Sequence, residues 1–133
     1  MRLLVDTGVF SAALSRRRRA MVEVSVARLA GHQMFLAAQT VAELRFGALV
    51  AGWGEERCVR LEQAIAAATV VPITDALLHA VAQLRFECRT IGHPLADRTH
   101  HADLWIAATA IHLHTPLVTL DGIFDRAPGL TFV

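Results

Sequence analysis

At 133 residues the chain is long enough for one domain around one core. It is 54% hydrophobic and only 19% charged, with a mean hydropathy of +0.43, an oily balance that leaves surface for a partner or a second copy to cover. All thirteen basic residues are arginine, so a phosphate-loop lysine and Schiff-base chemistry are excluded, and a net charge of +1 is too mild to argue for a nucleic-acid partner by itself.

The chain opens on RLLV (2–5), an apolar run ended by Asp6 and predicted as a buried strand. No signal-peptide pattern follows it, and no apolar run approaches the about 20 residues of a membrane span, so a soluble cytoplasmic protein with no membrane contact is expected. Residues 8–15 are predicted as a short helix, followed by the basic run Arg16–Arg19 and an amphipathic helix over 20–30 that ends at Gly31. MFLA (34–37) is the second strand. A helix is predicted from Thr40 to Val50, stopped by Gly52 and Gly54, and another from Glu55 to Ala67. TVVPI (69–73) is the third strand, and Pro72 places it at an edge or a strand end. Thr74 caps a helix over 75–89, and 90–101 is a loop. A helix carrying Asp103 comes next, then PLVTL (116–120) as a strand ending at Asp121, and LTFV (130–133) as a last short strand. Strands alternating with helices predict an α/β fold with a central, mostly parallel sheet covered on both faces. No repeat, linker or low-complexity segment divides it, so one domain over 1–133 is expected.

Chemistry is narrowed by what is missing. Ser11, Ser15 and Ser25 lack a GxSxG context, and Cys58 and Cys88 form no CxxC pair, so a serine-hydrolase elbow and a disulfide framework are excluded. The acids say more. Glu23, Glu55, Glu56, Glu62 and Glu87 sit among polar helix neighbours and read as solvated. Asp75 follows Thr74 at a helix start, and Asp97 and Asp125 lie in polar loops. Asp6, Glu43, Asp103 and Asp121 remain, each beside apolar sequence.

Asp6 and Asp121 stand at the carboxyl ends of predicted strands, the edge where open α/β sheets bind ligands. Glu43 and Asp103 stand near helix starts, which lie on that same edge. On a helix Asp103 falls in line with Ile106, Ala107, Ala110 and Ile111, at the head of the stripe that meets the core. Carboxylates gathered in one crevice repel, and a divalent cation removes the repulsion. Oxygen-only ligands suit Mg²⁺ or Mn²⁺, which can activate water against a phosphodiester without any lysine, tyrosine or serine nucleophile. Three of the four acids also have a local alternative; Asp6 serves no turn that the sequence defines. TVAE (40–43) matches a capping box, Asp103 suits a helix cap, and Asp121 before Gly122 suits a turn.

At these residues the sequence resembles the PIN-domain family, and more narrowly its VapC-type toxins. LLVDTGV, TVAELRFGA, ADLWIAATAI and PLVTLDGIFDRAPGL carry the resemblance, in an order and spacing that cover almost the whole chain. The resemblance implies a three-layer α/β/α fold and a Mg²⁺- or Mn²⁺-dependent ribonuclease site whose acidic cluster falls on Asp6, Glu43, Asp103 and Asp121. Thr119 would order that site through its hydroxyl, with Thr7 supporting it. It also implies an RNA substrate and a cognate antitoxin, and a homodimer would cover further apolar surface. Gly8 stands where the family often has Asn or Ser, and Leu120 where it commonly has a polar or basic residue.

Arg16, Arg17, Arg18 and Arg19 are candidate RNA-phosphate contacts, or equally a solvated loop or a patch for an acidic partner; Arg45 would reach the cleft or pair with an acid. The seven histidines show no zinc spacing and are expected in loops and on the surface; Trp53 and Trp105 are expected to pack. Two rival readings share these residues. A phosphate-signalling receiver domain also clusters acids at strand ends but wants a lysine near its last strand, and a catalytically silent PIN-like module would only bind partners.

Overall fold

The computed structural model describes residues 1–15 and 17–133. Four strands, β1 (Arg2–Val5), β2 (Gln33–Ala37), β3 (Thr69–Val71) and β4 (Leu117–Val118), form one parallel sheet in the order β3-β2-β1-β4. Among the described residues six α-helices connect them: α1 (Thr7–Leu14), α2 (Glu23–Leu29), α3 (Ala38–Val50), α4 (Glu55–Ala67), α5 (Asp75–Ile91) and α6 (His101–His112).

Successive strand side chains point to opposite faces, and the burial follows that period of two. Leu4, Ala37, Val71 and Leu117 pack on one face against Leu77, Val81, Leu84 and Cys88 of α5 and Leu104 and Ala108 of α6. Leu3, Val5, Leu36 and Val118 pack on the other against Val9 and Phe10 of α1, Val41 and Leu44 of α3, and Leu61 and Ile65 of α4. The register keeps the two sets apart, since Leu4 pairs with Leu117 and Val5 with Val118. Leu3, Leu4 and Val5 have no exposed surface, as the central strand of a sheet covered on both sides requires. The expected three layers are therefore present. No helix among the described residues is long and apolar enough to cross a membrane.

Several boundaries differ from the sequence reading. The predicted helix over 20–30 begins as a tighter 3₁₀ turn, Arg19–Val22, and is α-helical only over Glu23–Leu29. The predicted strand over 69–73 stops at Val71, where Pro72 removes a ladder donor. α5 runs on to Ile91 and ends where Gly92 takes φ +74°, a left-handed C-cap that glycine adopts without strain. The 90–101 loop holds two 3₁₀ turns, Pro94–Ala96 and Arg98–His100. β4 is reduced to two residues, and 130–133 contributes a single bridge, Phe132 to Leu117, instead of a strand. These short edge elements still position the site, because β1 and β4 together deliver Asp6 and Asp121 to the carboxyl end of the sheet.

Candidate active site

Asp6 is the first residue past β1 and the N-cap of α1, and it is only 7% exposed. Its amide donates to the Val118 carbonyl at 3.0 Å, which ties the end of β1 to the end of β4. Glu43 lies in the second turn of α3, Asp103 in the first turn of α6, and Asp121 three residues past β4. All four acids line one cleft of about 460 Å³, together with Thr7, Gly8, Arg18 and Leu120. Residues scattered over the length of the chain are thus gathered at the edge where α/β sheets bind ligands.

Threonine hydroxyls hold two of these carboxylates. Thr119 Oγ1 donates to Asp6 Oδ2 at 2.6 Å and accepts the Asp121 amide at 3.0 Å, so one hydroxyl links two acids. Thr7 Oγ1 lies 2.9 Å from Glu43 Oε1 and 3.0 Å from Thr40 Oγ1. A hydroxyl carries one proton; Thr7 gives its own to the carboxylate and accepts from Thr40. Thr40 is fully buried, so this chain is fixed at its base.

Burial and crowding set the electrostatics. Burial pushes the Asp6 carboxyl above the ordinary carboxylate range, and the Thr119 hydroxyl opposes the rise. Asp103 is also raised, first by burial and then by the charges of Asp6, Asp121 and Glu43, with His100 opposing from 3.6 Å. Among the described residues no salt bridge joins an arginine to any of the four.

The local alternatives resolve differently for each acid. α3 starts at Ala38, with Ala37 as N-cap, because β2 runs straight into the helix. Thr40 is therefore inside the first turn, the TVAE capping box is not formed, and Glu43 binds Thr7 instead. Asp103 is the third residue of α6, past the N-cap His100, and α6 has no side-chain capping bond. Asp121 does serve as a turn cap: its Oδ1 accepts the Ile123 amide at 3.0 Å ahead of the 3₁₀ turn Gly122–Phe124.

The basic candidates separate as well. Arg18 lines the cleft and donates to Ser11 Oγ at 3.0 Å. Arg17 and Arg19 are exposed and do not line it, and Arg16 lies outside the described residues. Arg45 does not belong to the cleft. Its guanidinium grips Glu62 with bonds of 2.8 and 3.2 Å on the outer faces of α3 and α4, which also makes Glu62 a paired residue. His93 is a buried histidine, contrary to the surface expectation. Its Nδ1 accepts the Leu95 amide, and its Nε2 donates to the Asp125 carbonyl at 2.8 Å, pinning the loop after α5 to the segment that carries Asp121. Trp53 packs against the core under the Arg57 guanidinium, and Trp105 donates to His101. Sequence reading missed Thr40 as a support and Ser11 as the anchor of Arg18. The threonine in TVAE marks the first only once Thr7 is known to face it.

The cleft offers carboxylate and hydroxyl oxygens, the donor set of a hard cation, and among the described residues Asp6, its most buried acid, pairs with no basic side chain. Among the described residues no group of three acidic, histidine or cysteine side chains is drawn tightly enough to grip an ion directly. Mg²⁺ does not ask for that, since it keeps several waters and usually takes one or two carboxylates with substrate phosphates. The residues fit such an ion.

A family model described as PIN domain matches residues 3–130. Toxin FitB of Neisseria gonorrhoeae is 33% identical over 137 residues, covering 98% of this chain and 96% of that protein. Ribonuclease VapC5 of Mycobacterium tuberculosis is 31% identical over 134 residues, covering 98% and 90%. Among solved structures, FitAcB from Neisseria gonorrhoeae superposes with a TM-score of 0.81 at 30% identity, covering 98% of this chain and 96% of that one. VapBC2 from Rickettsia felis, bound to a DNA fragment from its promoter, gives a TM-score of 0.82 at 20% identity over 100% and 98%, a likeness of fold.

Proposed function

The chain belongs to the PIN-domain family, and on that premise we propose that it is a metal-dependent endoribonuclease, the toxin of a type II toxin–antitoxin module. One observation carries the reading: four carboxylates from distant segments line a single cleft, and among the described residues no basic side chain pairs with the most buried of them. Asp6, Glu43, Asp103 and Asp121 would hold Mg²⁺ or Mn²⁺. Bound there, such an ion would supply a water of lowered pKa and positive charge toward the phosphodiester.

The chain's own groups prepare the cleft. Thr119 holds Asp6 in one orientation, and Thr7, backed by buried Thr40, does the same for Glu43. A site whose donors are fixed beforehand spends no reorganisation energy at the moment of reaction. Asp121 is exposed at the rim, where its own turn and the Thr119 hydroxyl set its place. Arg18, anchored by Ser11, puts a cation on the wall of an otherwise acidic cleft, where it softens the repulsion an RNA phosphate meets.

The proposed partners are an RNA substrate, a cognate antitoxin and a second copy of the chain, all in the cytoplasm. Phe46, Leu49 and Val50 form an exposed apolar stripe on α3, surface that suits the antitoxin. The test is cleavage of structured RNA by purified protein with Mn²⁺. Cleavage should vanish with EDTA and with Asp6→Asn; activity that survives both would refute the reading.

A further inference from the structure

The acidic cleft is larger than the ion assigned to it. A cation with six waters fills about 200 Å³ at roughly 30 Å³ per water, under half of the cleft's about 460 Å³. The rest of the lining is apolar. Val9 and Ala12 of α1 and Val22 of the Arg19–Val22 turn are buried and give it a floor. Met21 and Leu120 line it as well, yet they are 75% and 64% exposed. Large apolar side chains left in water around one cleft mark surface that a ligand covers.

Both are held in place. The Asp121 amide donates to Thr119 Oγ1 at 3.0 Å across Leu120, and that hydroxyl also holds Asp6. Met21 sits on a turn closed by its own amide on the Arg18 carbonyl at 3.0 Å, and Arg18 is tied to Ser11 of α1. Apolar groups fixed beside a phosphate site suit a flat apolar ligand that arrives attached to a phosphate, which describes a nucleobase. An unpaired base offers its faces, and apolar side chains and the polarisable methionine sulfur pack on them whatever the base. Arg18, on the same wall, suits the phosphate of a neighbouring nucleotide. A protein segment would also cover Met21 and Leu120, but it would bring no phosphate to the acids that continue the cleft.

We propose that the apolar half of the cleft, with Met21 and Leu120 at its mouth, is a nucleobase subsite that seats an unpaired base next to the phosphate under attack and reads its faces, not its edges. The proposal rests on the nuclease reading for the phosphate, and its test needs no cleavage. The chain has three methionines, Met1, Met21 and Met34, so labelling their methyls with carbon-13 gives three resonances, and Met21→Leu identifies one. Titrating adenosine 5′-monophosphate into the full chain in Mg²⁺ should move the Met21 methyl by the ring current of the base and leave Met34 in place. Ribose 5-phosphate, which lacks the base, should bind about tenfold more weakly and leave Met21 unmoved. Leu120→Ser should weaken the nucleotide about tenfold without changing the heat of Mn²⁺ binding, and Leu120→Phe should retain its affinity because an aromatic ring stacks on the base. A Met21 methyl indifferent to the nucleotide overturns the proposal. So does equal binding of ribose 5-phosphate, or an unchanged affinity in Leu120→Ser, and each result would leave the apolar half to a protein partner. RNA cleavage by a chain that fails these tests would remove the subsite alone; a chain that passes them and cleaves no RNA would keep the subsite and refute the nuclease.

Discussion

Replacing Asp6 with asparagine should make the metal-free protein more stable while destroying its activity. The folded-state pKa of Asp6 lies above its ordinary 3.8, chiefly because of burial. Between these two values the native state binds more protons than the unfolded chain, so stability falls as pH rises through that window and stays lowered above it. Above that window the native protein carries an ionised carboxylate that the unfolded chain solvates more cheaply. Asparagine removes that charge and keeps its neighbours. Its Oδ1 can accept the Thr119 hydroxyl, and Asn serves as well as Asp at the N-cap of α1. The change also relieves Asp103, whose second cause of elevation is the charge of Asp6. Substitutions of this kind gain about 1–2 kcal/mol, which for a chain of this size is about 3–8 °C in melting temperature. Thermal melts in EDTA measure it directly. The variant should melt higher at neutral pH, and the two curves should converge well below pH 3.8. A lower melting temperature for Asp6→Asn at neutral pH would refute the claim that this carboxylate is held at a cost to the fold.

Thr119→Val should remove the 2.6 Å bond that opposes the rise of Asp6. The acid limb of the rate–pH profile should then move to higher pH, and the lost charge-assisted bond should cost about 1.5–3 kcal/mol in denaturant titrations at neutral pH. Arg18→Ala should weaken RNA binding about tenfold and flatten its salt dependence, leaving the melting temperature nearly unchanged, as electrophoretic shifts in Ca²⁺ would report. Leu104→Ala should destabilise by about 3 kcal/mol, since Leu104 has no exposed surface and fills the layer between α6 and the sheet.

The layers were legible in the sequence because a buried parallel strand reads as a short apolar run, and RLLV, MFLA and TVV are such runs. The acids were legible for a related reason. A carboxylate beside apolar sequence is costly, and Asp6 and Asp103 prove to be the raised ones. Where the structure departs from a local signal, a distant partner overrides it. TVAE has the letters of a capping box, but where α3 starts is decided by β2, which hands the chain directly to Ala38. Thr40 became a support through Thr7, 33 positions away, and no periodicity reports such a pair. Of the two outcomes expected for Arg45, reaching the cleft or pairing with an acid, the structure shows the second: helix positions two apart do not share a face, and Arg45 turns outward to Glu62. His93 looked like a loop residue, and its burial depends on the segment around Asp125 closing over it. The C-terminal LTFV had the composition of a strand, but it reaches the sheet only through Phe132.

The most direct test of the cleft is calorimetric titration of Mn²⁺ into EDTA-stripped protein, with Asp6→Asn and Asp103→Asn alongside. The wild type should bind and gain thermal stability as the metal concentration rises, because the ion offsets the mutual repulsion of the gathered carboxylates and binds only the folded state. Both variants should lose that heat and that gain. Binding of equal strength in all three proteins, or none in the wild type, would contradict the account.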